Sequence, residues 1–150
     1  INLEVANDNS PKQVVISGDI SEIKNNKELF LKNNIIKYVI LNVSAAFHSK
    51  LMLNAQEELS EIINQVNFNS NKINIISNYN AEISNDSLSI KKSLQQQMAN
   101  KVNWTNSVKK LSEIGQKNII EIGPGKVLSG LIKRISNNFD IKSINTISDI

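Results

Sequence analysis

Apolar segments that alternate between strand and helix periodicity predict an α/β fold for this chain of 150 residues. Two observations support the prediction. β-branched runs of strand length alternate with segments in which apolar residues recur at helical spacing, and Gly, Pro and Asn clusters separate them. Over residues 49–150 this alternation favours a mainly parallel sheet covered by helices. With 40% hydrophobic residues, the chain can bury a core of its own.

The first 44 residues predict a small β-β-α-β unit. Strands are predicted at 2–6 and 13–17, on either side of a turn-forming segment at 7–11. A polar helix over 21–33, with Ser21 as its N-cap, precedes a third strand over 35–43. One helix on so small a sheet leaves an open edge, so the unit is an incomplete layer.

The remaining residues predict helices and strands in alternation. The clearest helix follows residue 48 and is marked by apolar residues at helical spacing: Leu51, Ala55, Leu59, Ile62, Ile63 and Val66. After it the sequence predicts a strand at 73–77, a loop at 78–86, and helices at 87–100 and 104–114, the second ending before Gly115. A buried strand at 118–122, a tight turn at 123–125, a helix at 126–135 and a strand at about 141–147 follow.

Composition excludes several function classes. The chain has no Cys and one His, His48, so disulfide scaffolds, thiol nucleophiles and Cys-ligated or multi-His metal sites are ruled out. No apolar run reaches the length of about 20 residues that a membrane span needs, and the first ten residues have neither the basic start nor the apolar stretch of a signal peptide, so a cytoplasmic location is expected. The net charge of +3 comes from dispersed lysines, which does not favour a nucleic-acid partner.

The segment Gly123-Pro124-Gly125-Lys126 lies between a predicted strand and a predicted helix, where backbone amides could hold an anion. It is not a Walker A loop, because Ile120 and Val127 occupy places that need Gly and Ser or Thr. A turn that packs strand against helix is the favoured interpretation.

A serine-hydrolase elbow is not present in this sequence. The G-x-S-x-G pattern needs two glycines four residues apart, and the five glycines contain no such pair. A complete serine catalytic site therefore cannot be assigned from these residues.

His48 lies between a predicted strand and the long helix, a position that often reaches the active-site edge of α/β proteins. Taken alone, such a His is more often structural. Its surroundings, Ala-Ala-Phe-His-Ser at 45–49, resemble the histidine motif of the malonyl-CoA:acyl carrier protein transacylases and of the related acyltransferase domains of polyketide and fatty acid synthases. Three further segments agree with this family in order and spacing: 6–18, 102–108 and 121–128.

The resemblance implies a fold. Family members are about twice this length, and the chain resembles their C-terminal half. In the family, a smaller ferredoxin-like subdomain is inserted into a larger α/β-hydrolase-like subdomain. Residues 1–44 would be the later part of the small subdomain, and residues 45–150 the C-terminal part of the large one.

The resemblance also implies a reaction. In the family, a serine takes malonyl from coenzyme A and passes it to the phosphopantetheine thiol of acyl carrier protein, with no metal or other cofactor. His48 matches the histidine that removes the serine's proton, and Gln97 matches the position whose main-chain carbonyl fixes the imidazole tautomer. This Ser-His dyad would be completed by the half that the chain lacks, together with the oxyanion donors and the arginine that binds the malonyl carboxylate.

Three residues match family positions near the substrate. Phe47, immediately before the histidine, goes with malonyl in the family, where Ser goes with methylmalonyl; the alternative is a core aromatic. Asn7 and Asn9 match a segment near the cleft, with turn formation as the alternative. Arg134 does not match the carboxylate-binding arginine and is expected at the surface, where it and Lys133 are a less favoured docking site for acidic carrier protein.

Two interpretations therefore stay open. The chain is part of a transacylase of fatty acid biosynthesis, or an acyltransferase of a polyketide synthase, that is inactive without its other half. Alternatively, it is a non-enzymatic remnant or a module that docks acyl carrier protein. An upstream reading frame encoding the serine elbow would favour the enzyme.

Overall fold

A computed structural model describes residues 2–69 and 72–149 as a mixed α/β structure. Within those residues the strands form three two-stranded sheets, one parallel and two antiparallel. The predicted fold class is confirmed, but the expected mainly parallel sheet is reduced to a single parallel pair. In the same described ranges, no helix is both long and apolar enough to cross a membrane.

The chain begins with an antiparallel hairpin of β1 (Leu3–Ser10) and β2 (Gln13–Gly18). The prediction that β1 ends at residue 6, before a turn at 7–11, is wrong. β1 continues to its end at residue 10 through two register shifts, and only residues 11 and 12 form the turn.

β1 extends further than predicted because it is paired along both edges. On the edge of β1 that β2 does not occupy, the Val102 amide donates to the Ala6 carbonyl at 2.8 Å, and the Asp8 amide donates to the Val102 carbonyl at 3.0 Å. Thr105 Oγ1 adds a hydrogen bond to Asp8 Oδ1 at 2.7 Å. These partners are distant in sequence, so they stabilise strand geometry where local turn propensity favours a turn.

Two short helices, α1 (Ile20–Asn25) and α2 (Lys27–Lys32), replace the single helix predicted over 21–33. The break falls at Asn26, whose side-chain Nδ2 donates to the Glu22 carbonyl at 2.9 Å. Because an Asn side chain competes with backbone groups for carbonyls, it disfavours helix continuation at this point.

The N-cap of α1 is Asp19, not the predicted Ser21. The Asp19 carboxylate accepts from the Ser21 amide at 2.7 Å and from the Ser21 hydroxyl. These hydrogen bonds lower the pKa of Asp19 below its usual 3.8. A carboxylate is the stronger acceptor at a helix N-terminus, which explains why the helix begins earlier than predicted.

The strand predicted over 35–43 is wrong, since this segment adopts no regular structure. Its apolar side chains are largely open to solvent, and Ile36 is fully exposed. The segment is tethered by Tyr38, which donates to the Ile23 carbonyl at 2.8 Å and stacks on Phe30. A strand needs a neighbouring strand for its backbone groups, and no described residue supplies one here.

The helix predicted after residue 48 is confirmed as α3 (Leu53–Gln65), preceded by a 3-10 turn at Lys50–Met52. α4 (Ser87–Gln96) packs beside α3 and is capped by the Asp86 carboxylate, which accepts from the Ser89 amide. α4 is shorter than the predicted 87–100, because the chain leaves the helix after residue 96 and forms the 97–100 loop.

Between α3 and α4, two very short strands pair antiparallel: β3 (Ile75–Ile76) and β4 (Ile83–Ser84). The strand predicted at 73–77 is present over two residues only. The loop predicted at 78–86 is wrong in part, because it contains β4, whose pairing with β3 turns this segment into a small hairpin.

The last third of the chain follows the predicted order of elements. α5 (Trp104–Glu113) ends before Gly115, whose φ of 74° lies in the left-handed region that glycine favours. β5 (Asn118–Ile122), α6 (Val127–Ile135) and β6 (Asp140–Ile144) then form a β-α-β unit in which the two strands pair parallel.

The prediction that β5 is buried is wrong. Ile120 and Ile122 are 58% and 81% exposed, and they alternate with Ile119 and Glu121, which are half-buried. α6 covers the Glu121 face, and no described element covers the other. Parallel strands are normally covered on both faces, so this sheet presents an open apolar surface.

The buried apolar residues are small in number and join β1 to the helices that follow it. β1 contacts both α5 and α6. The core side chains below a tenth exposed are Ala6, Ala81, Ala99, Val108, Leu131 and Ile132. The predicted division between residues 1–44 and 45–150 stays a prediction.

Candidate active site

The backbone at His48 is held in an unusual conformation. Its φ of 61° lies in the left-handed region, which is uncommon for a residue other than glycine. Two hydrogen bonds fix this turn: the His48 amide donates to the Met98 carbonyl at 2.9 Å, and the hydroxyl of buried Ser49 donates to the Ala46 carbonyl at 2.7 Å. The imidazole is thereby directed toward the 97–100 loop.

The imidazole of His48 contacts two main-chain carbonyls. Nδ1 lies 2.9 Å from the Gln97 oxygen and 3.1 Å from the Asn100 oxygen. Carbonyl oxygens only accept, so Nδ1 must be the protonated nitrogen of the neutral ring. No described residue is hydrogen-bonded to Nε2, which therefore has the lone pair that can remove a proton.

An apolar pocket of about 350 Å³ adjoins the ring. It lies between α3, α4 and the loop before α3. Phe47, which precedes the histidine, is 44% exposed and lines this pocket rather than the core. The full lining is Phe47, His48, Leu59, Ile63, Leu94, Gln97 and Met98.

The structure brings together three of the five predicted site residues. His48, Gln97 and Phe47 meet at the pocket. Asn7 and Asn9 lie in β1, half-buried, and do not line it. Turn formation, the alternative stated for these two asparagines, is wrong, because both lie within the strand. Their contact with substrate stays a prediction.

Sequence reasoning missed Gln56. This residue of α3 is 6% exposed, and its Oε1 accepts from the Ala99 amide at 2.9 Å, inside the 97–100 loop. A signal was present in the sequence: Gln56 follows Met52 by four residues and precedes Leu59 by three, so it is a polar residue on the apolar face of a helix.

The glycine turn at 123–125 makes internal contacts and offers little to an external anion. The Glu121 carboxylate accepts from the Leu128 and Ser129 amides, at 2.9 and 2.8 Å, and from the Ser129 hydroxyl. The hydrogen bonds from Ser129 hold the pKa of Glu121 below its usual 4.5. The Gly125 amide donates to Asn145 Oδ1 at 2.6 Å. The structural interpretation of this turn is supported.

Arg134 is exposed on α6, as the sequence predicted, and its guanidinium donates to Gln13 Oε1 of β2. Within residues 2–69 and 72–149, no group of three or more His, Cys, Asp or Glu residues is arranged to hold a metal ion. His48 places an imidazole with a free Nε2 beside an apolar pocket, an arrangement suited to proton transfer.

Comparison with known proteins assigns a family to this geometry. A family model described as an acyl transferase domain matches residues 2–148. The malonyl CoA-acyl carrier protein transacylase of Synechocystis sp. is 37% identical over 147 residues, covering 97% of this chain and 49% of its own length. The polyketide biosynthesis protein PksE of Bacillus subtilis is 41% identical over 136 residues, covering 90% of this chain and 18% of its own length.

Solved structures agree with the sequence comparison. The crystal structure of the Synechocystis transacylase superimposes with a TM-score of 0.91 at 36% identity, over 99% of this chain and 50% of that one. A malonyl-transacylase in complex with a type II polyketide synthase acyl carrier protein gives a TM-score of 0.93 at 30% identity, over 98% and 48%. The chain spans about half the length of the transacylase relatives that it matches.

Proposed function

The chain belongs to the acyl transferase domain family, and from that premise we propose that it supplies the general base of a malonyl-CoA:acyl carrier protein transacylase. The observation that supports this role is the pair of carbonyls at His48 Nδ1, 2.9 and 3.1 Å away. They select the tautomer in which Nε2 is basic. The nucleophilic serine belongs to the remainder of the domain.

In the proposed first half-reaction, His48 Nε2 takes the proton of the serine hydroxyl as its oxygen attacks the malonyl thioester carbonyl. The tetrahedral intermediate expels the coenzyme A thiolate, which receives that proton from the imidazolium. The Gln97 and Asn100 carbonyls stabilise the imidazolium through its Nδ1 proton.

The second half-reaction reverses these roles. His48 takes the proton of the phosphopantetheine thiol of acyl carrier protein, and the thiolate attacks the malonyl-serine ester. When the intermediate collapses, the serine oxygen leaves and recovers its proton from the imidazolium. The sequence of steps uses serine, imidazole and thioester chemistry, and we propose that no metal or cofactor takes part.

Phe47 is proposed to select the acyl group. Phe47 lines the pocket beside His48, and the residue is 44% exposed. Such a ring occupies the volume that an α-methyl substituent would need next to the reacting carbonyl. This placement supports malonyl over methylmalonyl as the substrate. The selectivity should not exceed the roughly 10- to 200-fold that one methyl group contributes in an apolar pocket.

The open surfaces of the chain support the need for a further half. The uncovered face of β5, with Ile120 and Ile122, is apolar, and so is the unpaired segment that contains Ile36. We propose that the rest of the domain covers them, that residues 1–44 and 45–150 belong to its small and large subdomains, and that the chain alone transfers no malonyl. A cytoplasmic location is part of the same proposal.

A polyketide pathway is the second candidate, favoured by the 41% identity to the PksE protein. The catalytic geometry is the same for both pathways, because each uses a carrier-protein thiol as acceptor. The choice between them lies in which carrier protein the enzyme accepts. The relative kcat/KM for carrier proteins of the two pathways distinguishes them.

The test joins this chain to the half of the Synechocystis transacylase that it does not cover. Transfer of labelled malonyl from coenzyme A to acyl carrier protein is measured, with the whole Synechocystis enzyme as reference. We expect transfer by the chimera and none by either half alone. A folded chimera that binds acyl carrier protein without transferring malonyl would favour a docking module instead.

A further inference from the structure

Gln56 is a polar residue at a buried position of α3, where an apolar side chain is usual. It is 6% exposed on α3, on the same face as the pocket residues Leu59 and Ile63. Burying an amide among apolar side chains costs free energy unless it is hydrogen-bonded. Its Oε1 accepts from the amide of Ala99, which is itself 5% exposed, at 2.9 Å.

Ala99 lies inside the loop that holds the catalytic imidazole. His48 donates three hydrogen bonds to the 97–100 loop: from its amide to Met98 and from Nδ1 to Gln97 and Asn100. In sequence, Ala99 lies between Gln97 and Asn100, whose carbonyls contact Nδ1. Gln56 therefore holds the backbone of the same loop that His48 contacts, through a hydrogen bond that does not involve the imidazole.

We propose that Gln56 is a positioning residue for His48. It holds the 97–100 loop so that both carbonyls face Nδ1, which keeps the ring proton on Nδ1 and the basic lone pair on Nε2. This inference rests on the proposed role of His48 as general base, but it concerns the state of the ring and not the transfer itself.

The physical reason is the cost of losing the acceptor. Without Oε1, the Ala99 amide is a buried donor with no partner, and the loop must move to satisfy it. Movement of a few tenths of an ångström lengthens the bonds from Nδ1 at 2.9 and 3.1 Å. The preference for the Nδ1–H tautomer then weakens, because that preference depends on those bonds.

Gln95 provides a matched control. Its side-chain amide links α4 to α3, since Nε2 donates to the Ser60 carbonyl at 3.3 Å and to Asn64 Oδ1 at 2.8 Å. It makes this link on α4, before the 97–100 loop begins. A change at Gln95 removes side-chain amide hydrogen bonds to α3 without removing the acceptor of the Ala99 amide.

The test uses the fact that His48 is the sole histidine of the sequence. Labelling the chain with ¹⁵N-histidine gives one imidazole signal pair, whose shifts report which ring nitrogen is protonated when the ring is neutral. The variants are Gln56→Met, which is of similar length but lacks the acceptor, Gln56→Glu, which retains an oxygen acceptor, and Gln95→Met.

We expect Gln56→Met to lower the ratio of Nδ1–H to Nε2–H tautomer by about two- to tenfold, the net worth of one hydrogen bond. Gln56→Glu and Gln95→Met should keep the parent ratio. An unchanged ratio in folded Gln56→Met, or an equal shift in Gln95→Met, overturns the proposal. If Gln56→Met does not fold, Gln56→Asn, shorter by one methylene, decides by the same criterion.

This readout separates the inference from the proposed function. The tautomer is measured in the 150-residue chain and needs neither serine nor substrate. A chimera without transferase activity would therefore contradict the proposed function and leave the tautomer result standing. A normal tautomer in Gln56→Met would contradict the positioning role alone.

Discussion

The turn at His48 and the glycine turn before α6 both lead into a helix, yet they differ in what their internal hydrogen bonds leave available. At α6, the Glu121 carboxylate accepts hydrogen bonds from the Leu128 and Ser129 amides, and Asn145 Oδ1 accepts one from the Gly125 amide. At His48, carbonyls of the 97–100 loop accept hydrogen bonds from the backbone amide and from Nδ1. Nε2 has no described partner and keeps its lone pair.

This difference distinguishes the two candidate functional sites, the glycine turn as an anion site and His48 as a general base. A helix N-terminus attracts anions in general, but here the protein's own carboxylate already serves the amides. The imidazole contacts two carbonyls, and both contacts are made by Nδ1, the nitrogen that is not needed for proton transfer. A fixed side chain with a free basic nitrogen is a candidate catalyst, and a turn whose amides donate mainly within the protein is a structural element.

The largest effect that the comparison predicts is at His48. In the active chimera, His48→Ala should reduce malonyl transfer by about 10²- to 10⁴-fold, because the general base is lost. The measurement is the steady-state rate of transfer to acyl carrier protein.

His48→Asn is the control for backbone strain, since Asn adopts a φ near 61° more readily than Ala does. Both variants should be folded by circular dichroism and equally impaired in transfer. Near-normal turnover in either folded variant would return His48 to a structural role.

A smaller effect is predicted at Phe47. Phe47→Ser should raise methylmalonyl relative to malonyl transfer by about 10- to 200-fold, the worth of one methyl group in a pocket. Competition between the two thioesters measures the ratio directly. Because the ring is 44% exposed, the loss of stability should be modest. An unchanged ratio in a folded variant would place selectivity elsewhere.

The smallest effect on transfer is predicted at the glycine turn. Lys126→Ala and Glu121→Gln should each change the transfer rate by no more than about twofold, since neither side chain meets the pocket. Malonyl-transfer rates of these two variants and of His48→Ala, measured in the same assay, test the difference between the two turns. A large loss of transfer in folded Lys126→Ala would show that this turn binds substrate after all.

Glu121 should instead affect stability in a pH-dependent way. Hydrogen bonds from Ser129 lower its folded-state pKa below 4.5, so its stabilising effect is complete above that value and is lost as pH falls through the folded-state pKa. The parent chain should therefore exceed Glu121→Gln in urea resistance at neutral pH, and the difference should shrink on acidification. A constant difference would mean that the carboxylate charge plays no part.

Helices were predicted best because their signal is local. α3 and α5 follow the spacing of their apolar residues, and Gly115 marks the end of α5. The two largest strand errors came where a distant partner decides the structure. β1 extends through its asparagines because Val102 pairs with its second edge, and residues 35–43 form no strand because no described strand pairs with them.

The candidate site was predicted in part for the same reason. A short motif drew attention to His48 and Phe47, and the Gln97 carbonyl lies 2.9 Å from His48 Nδ1; their roles in catalysis and selectivity stay predictions. Gln56 was missed because the helix was predicted from the spacing of its apolar residues alone, and a polar residue on the buried face does not contribute to that pattern. Its role depends on the Ala99 amide, which reaches it through the packing of α3 beside the 97–100 loop.

The most direct test of the central claim is to locate the malonyl group after reaction. The 150-residue chain, the active chimera and its His48→Ala variant are incubated with labelled malonyl-CoA and analysed by intact mass and peptide mapping. The account predicts no adduct on the chain alone, one adduct on a serine outside this chain in the chimera, and much slower labelling in His48→Ala. A stoichiometric malonyl adduct on any serine of this chain would contradict it.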